Sequence, residues 1–169
     1  LQLGNSTVVR YSQLFDRRPD LQYFSNRGTS GIDGSTSTAM GAASVFDGNC
    51  TFITGDLSFL YDSNALWSRT MPENLKVIIM NNGGGSIFKV IEGPRTHEKV
   101  EEYFVAPHEV DLPAFIQSMG KEALVADDVS SLEEGLEELY KNNRYSFLVV
   151  NTGSQDNEQV LKNYFKYLK

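Results

Sequence analysis

The two stretches CTFITGD (Cys50–Asp56) and VIIMNNGGG (Val77–Gly85) decide the fold. Each is a short apolar run stopping abruptly in small polar residues, as a buried parallel strand does where it leaves the sheet. Asp56 and Asn82 are 26 residues apart. That interval accommodates a strand, a crossover helix and the next parallel strand, so both side chains reach the same rim of one sheet. A carboxylate, an amide oxygen and a glycine-rich turn offering backbone carbonyls suit a hard cation that also grips phosphate oxygens. The pair reads as a magnesium–diphosphate site. Either half alone reads as a simple turn; together, at this interval, they do not.

Outward from this pair the same alternation continues. Leu1–Leu3 ends at Gly4-Asn5-Ser6, Leu21–Phe24 at Ser25-Asn26-Arg27-Gly28, Ala123–Ala126 at Asp127-Asp128 and Phe147–Val150 at Asn151-Thr152-Gly153. Helical patterns fill the gaps at Ser35–Val45, Phe59–Trp67, Leu112–Met119, Leu132–Tyr140 and Glu158–Leu168. Strands alternating with helices predict an α/β fold: three α/β/α layers around a mostly parallel sheet of about six strands. The ligand crevice belongs at the carboxyl ends of those strands. Residues 93–108 (GPRTHEKVEEYFVAPH) follow neither period and predict a mobile or irregular insertion.

Composition narrows the function. The chain has 169 residues, enough for one domain, and a net charge of −7 with the acidic residues gathered after Glu92. Nucleic-acid binding needs clustered Lys and Arg, so it is not expected; the acidic stretch reads as a solvated face. No apolar run approaches the roughly 20 residues of a membrane span. Cys50 is the single cysteine, so no internal disulfide forms, which is compatible with a cytoplasmic protein; it is expected to be buried and inert. His97 and His108 lack ligand spacing and read as solvated or locally bonded. Trp67 and the late tyrosines (Tyr140, Tyr145, Tyr164, Tyr167) read as packing residues. The chain has no initiating Met and its first residues already read as a strand, so it is expected to be part of a longer polypeptide.

The turn Gly55-Asp56-Leu57-Ser58 passes straight from strand to helix and is expected to aim backbone amides at phosphate oxygens. GDLSFLYDSNAL (Gly55–Leu66) followed by NNGGGSIF (Asn81–Phe88) resembles the cofactor motif of thiamine-diphosphate enzymes. More narrowly, with GNSTVVR (Gly4–Arg10) and SNRGTSGIDGSTSTAMG (Ser25–Gly41), it resembles the MenD family of menaquinone biosynthesis. These four blocks lie within Gly4–Phe88; from Lys89 onward the sequence supports only the fold.

The resemblance implies that residues 1–169 are the carboxyl-terminal, diphosphate-binding domain of a three-domain chain. It implies magnesium, or manganese, held by Asp56, Asn82 and the Gly84 carbonyl. Ser6, Gly55, Leu57 and Ser58 would lie along thiamine diphosphate, and Ile32 would press between its two rings. Arg10 and Arg27 would take substrate carboxylates, with Ile87 and Phe88 beside the reacting centre. The implied reaction is a decarboxylating carboligation, a transferase activity adding the succinyl semialdehyde unit of 2-oxoglutarate to isochorismate. Both substrates are dicarboxylates, which Arg recognises in bidentate fashion. The implied glutamate that bonds the aminopyrimidine comes from the pyrimidine-binding domain of a second subunit, in a homodimer or homotetramer. Glu73, Glu92 and Glu98 have no suitable context for that role. The isolated chain is therefore expected to be inactive. Two other readings stay open: a different thiamine-diphosphate carboligase or oxo-acid decarboxylase, and a non-catalytic phosphate-binding or assembly module.

Overall fold

A computed structural model describes residues 1–68, 71–141, 146–153 and 156–167. Among these, six strands form one sheet, every pairing parallel, in the order β2-β1-β3-β4-β6-β5. The strands are β1 (Gln2–Leu3), β2 (Phe24–Ser25), β3 (Cys50–Gly55), β4 (Leu75–Asn81), β5 (Ala123–Ala126) and β6 (Phe147–Asn151). The helices are α1 (Thr7–Tyr11), α2 (Ser35–Ala43), α3 (Asp56–Tyr61), α4 (Leu112–Ser118), α5 (Val129–Lys141) and α6 (Asn157–Tyr167). No helix among the described residues is long and apolar enough to cross a membrane.

Alternation along the central strands builds two separate cores. Val77 and Ile79 of β4 face one side with Phe52, Phe147 and Val149, and pack under Ala39 and Met40 of α2, Phe59 of α3, and Leu112 and Ile116 of α4. Ile78 faces the other side with Leu148 and Val150, under Leu139, Leu132 and Leu136 of α5. A sheet buried on both faces is why these strands read as continuous apolar runs rather than alternating ones. The outcome is the three-layer α/β/α arrangement expected from the sequence.

Several boundaries differ from expectation, each for a physical reason. α1 is absent from the sequence reading because Thr7, Val8 and Val9 are β-branched and poor helix formers; burial of Val9 against the sheet overrides propensity. β2 is only two residues, with Leu21 outside it and exposed. The helix expected over Phe59–Trp67 begins at Asp56, stops at Tyr61 and resumes as a 3₁₀ turn over Ser63–Trp67. Trp67 is not a packing residue: it is 74% exposed. Cys50 is half-buried at the start of β3. Tyr140 and Tyr167 are exposed, while the Tyr164 hydroxyl donates to the Leu14 carbonyl; Tyr145 and Leu168 lie outside the described residues.

The run 93–108 is irregular, as expected, but docked. After the 3₁₀ turn Ser86–Lys89 comes a second at Pro94–Thr96 and a single π-helical turn at Val100–Val105. Phe104 packs on Phe88 with ring centroids 5.7 Å apart, and Lys89 Nζ lies 2.9 Å from Glu101 Oε1. The Gly85 N–H donates to Val105 O at 2.6 Å and the His108 N–H to Gly83 O at 3.2 Å. The segment is thus a strap laid across the glycine turn.

Candidate cofactor and metal site

β1 pairs with β2 on one side and β3 on the other, so the chain turns back at this point and leaves a crevice above the carboxyl ends. The loops after β1, β2, β3 and β4 meet there. Gly4 lets β1 lie close to β3: a Cβ would sit 3.1 Å from Thr54 Cα and 3.2 Å from Ile53 O, so one of the strands would have to shift by a few tenths of an ångström.

Asp56 directly follows β3, opens α3 and is 2% exposed. Its Oδ2 accepts the backbone N–H groups of Asn82, Gly83 and Gly84 at 3.1, 2.7 and 3.0 Å. Its Oδ1 accepts the Leu57 N–H at 2.6 Å. The two strand ends singled out in the sequence are therefore knitted together by the carboxylate itself. Three N–H donors converging on one oxygen compensate the cost of burying the charge. They also tie the carboxylate to the glycine turn. Asn82 Oδ1 is buried with no hydrogen-bond partner among the described residues. A buried, unsatisfied amide oxygen on the residue whose backbone binds a buried carboxylate offers donor types suited to a hard cation. The turn between them has φ of +78° at Gly83 and +148° at Gly84, which brings its backbone against the strap.

The neighbouring Asn81 is used differently. Its Nδ2 donates to Asn151 Oδ1, and Asn151 Nδ2 donates to Asp127 Oδ1, both at 2.8 Å, while Asn81 Oδ1 is buried with no hydrogen-bond partner among the described residues. This amide ladder ties the ends of β4, β6 and β5 and floors a cleft of about 570 Å³ that His108 and Asn82 also line.

On the other flank, Ser58 Oγ donates to Ile32 O at 2.7 Å, holding the half-buried Ile32 loop over the start of α3. Gly55 is extended at the N-cap of α3, and Leu57 is half-buried with its amide already given to Asp56. Ser6 stands at φ +70° before α1, half-buried. Arg10 is exposed on α1 and Arg27 is exposed in the loop after β2, so both follow strands adjacent to the crevice. Ile87 and Phe88 are half-buried in the 3₁₀ turn that continues the glycine turn.

Three residues at the site escaped sequence reasoning. Asn5 is 2% exposed; its Nδ2 donates to Asn26 O and Gly31 O, and its Oδ1 accepts from Ser25 Oγ and Arg27 Nη1. One amide thus staples the β1 and β2 loops and orients Arg27. Its position at a strand end was the available signal. Asp62 accepts the Ser37 N–H and hydroxyl at 2.6 and 2.8 Å, capping α2 from the end of α3. His108, expected to be solvated or locally bonded, does accept the Val110 N–H at Nδ1. Its Nε2, however, lies 3.3 Å from Asp56 Oδ2. No periodicity in the strap could have signalled that contact.

Residues 3–150 match the model of the family described as "Thiamine pyrophosphate enzyme, C-terminal TPP binding domain". Among curated proteins, the chain is similar to a 2-succinyl-5-enolpyruvyl-6-hydroxy-3-cyclohexene-1-carboxylate synthase of Flavobacterium johnsoniae, 47% identical over 99% of this chain and 30% of that protein. Proteins of the same name from Porphyromonas gingivalis and Christiangramia forsetii are 43% and 39% identical, over 99% and 100% of this chain and 30% of each relative. The chain thus spans about 30% of the length of these curated relatives. With its parallel sheet, its crevice at the strand ends and a match over nearly its whole length, this chain belongs to the C-terminal TPP-binding domain family of thiamine pyrophosphate enzymes.

Proposed function

We propose that this chain is the diphosphate- and metal-holding half-site of a cytoplasmic, decarboxylating carboligase that joins 2-oxoglutarate to isochorismate. The product is 2-succinyl-5-enolpyruvyl-6-hydroxy-3-cyclohexene-1-carboxylate, the compound for which the curated relatives are named. The observation that carries this reading is the Asp56 carboxylate bound by the backbone of Asn82, Gly83 and Gly84, with the Asn82 side-chain oxygen buried and unsatisfied among the described residues.

In this reading Asp56, Asn82 and the Gly84 carbonyl hold magnesium, or manganese in its place, and Ser6, Gly55, Leu57 and Ser58 line the diphosphate. Thiamine diphosphate, when bound, supplies the electron sink for loss of carbon dioxide and carbon–carbon bond formation. The chain's own residues bind and orient. Ile32, held by Ser58, would pack against the cofactor. Arg10 and Arg27 are cationic points on an acidic protein, suited to draw in and align dicarboxylates. Ile87 and Phe88 give the reacting centre an apolar wall. The chain works within a longer polypeptide, as a homodimer or homotetramer in which a second subunit's pyrimidine-binding domain completes the pocket and supplies a glutamate.

The test uses the full-length protein. Thiamine diphosphate is titrated with and without magnesium, in the parent and in Asp56→Ala. Binding that depends on magnesium in the parent and loses that dependence in the variant is expected; unchanged dependence counts against the assignment. Product formation from 2-oxoglutarate is then compared with and without isochorismate. Turnover indifferent to isochorismate points to a plain oxo-acid decarboxylase.

A further inference from the structure

His108 approaches Asp56 from a part of the chain to which no role attaches. It closes the strap, and its backbone N–H donates to Gly83 O, inside the same turn that grips the carboxylate. Its side chain is 13% exposed, and that of Asp56 is 3% exposed. The Nδ1 atom accepts the Val110 N–H at 3.2 Å. A ring nitrogen that accepts has no proton, so in the neutral ring the proton lies on Nε2. That nitrogen is buried, lies 3.3 Å from Asp56 Oδ2 and has no better partner among the described residues. The geometry there is looser than a formed hydrogen bond.

We propose that His108 is the positioning residue of the metal carboxylate, its Nε2–H acting as a fourth donor to Oδ2 of Asp56. Oδ2 already takes three backbone N–H groups, whereas Oδ1 accepts only the Leu57 N–H and keeps a lone pair to offer a cation. The carboxylate is then held in one orientation before metal arrives, with the Val110 N–H fixing the ring in the required tautomer. Outer partners that hydrogen-bond a ligating carboxylate typically change metal affinity by about 10–100-fold when removed. Because His108 sits at the end of the strap, that orientation depends on the strap being seated on the glycine turn. This inference rests on the proposed role of Asp56 and deepens it.

The experiment compares His108→Gln with His108→Met in the full-length protein. The two side chains are close in length, but only Gln carries an N–H donor. Magnesium is titrated calorimetrically into metal-stripped protein saturated with thiamine diphosphate, and melting is recorded without metal. His108→Met is expected to bind magnesium about tenfold more weakly than His108→Gln, with both variants melting alike. Equal magnesium affinities in the two variants overturn the inference. An Asp56→Ala arm separates the two layers of argument. If it abolishes magnesium binding while Gln and Met behave identically, only the role of His108 fails. If it binds magnesium like the parent, the metal site itself is wrong.

Discussion

At Gly84 the chain does something no other residue type could do at little cost. Its φ is +148°, and a Cβ there would stand 2.7 Å from Val105 O and 3.3 Å from Pro107 Cα. The obstacle is the backbone of the strap, which cannot move aside as a flexible side chain would. Gly84→Ala therefore combines a strained dihedral with displacement of the strap, and is expected to destabilise the domain by about 2 kcal/mol or more. It should also weaken magnesium binding, because the Gly84 N–H donates to Asp56. Urea denaturation and metal titration of the same variant check both; a variant as stable as the parent would show that the strap is not seated as described. At this scale Asp56 and Asn82 were legible because strand ends announce themselves in sequence. Asn5 and His108 were less so, since their roles depend on what lies opposite them.

Between α3 and the turn after it, Asp62 decides where the helix ends. Apolar spacing suggested one helix from Phe59 to Trp67, yet Asp62 leaves helical geometry at φ −123°, ψ +27°. Its buried carboxylate is committed to the Ser37 amide and hydroxyl at the start of α2. Two hydrogen bonds to one charged cap outweigh continuing α3 by another turn. Asp62→Ala should uncap α2, leave the Ser37 N–H without its partner, and cost about 2 kcal/mol. Chemical denaturation measures it; Asp62→Asn, which keeps one acceptor oxygen, should lose less. Equal losses for the two variants would argue against capping. Helix periodicity identified the amphipathic α4, α5 and α6 because each shows one apolar stripe. It missed α1, whose five residues hold shape only through contact with the sheet.

Over the whole molecule, one rim gathers the loops after β1 to β4. Phe15, Phe24, Val45 and Trp67 are exposed, with Val45 at 85%. The 169-residue chain by itself is expected to bind magnesium and thiamine diphosphate weakly and to form no carboligation product. Incubating the purified chain with cofactor, metal, 2-oxoglutarate and isochorismate tests this, and measurable product would overturn it.

The amino-acid order alone determined the layered α/β class, the parallel sheet and the acid–amide pair. Those depend on local quantities: apolar run length, helical period and the residues that end each strand. That Asn81 joins a ladder with Asn151 and Asp127, which carboxylate caps which helix, and that a histidine 52 residues beyond Asp56 reaches it were settled only in three dimensions. Such contacts join segments distant in the chain, and their energies come from burial and hydrogen-bond geometry that no local pattern encodes.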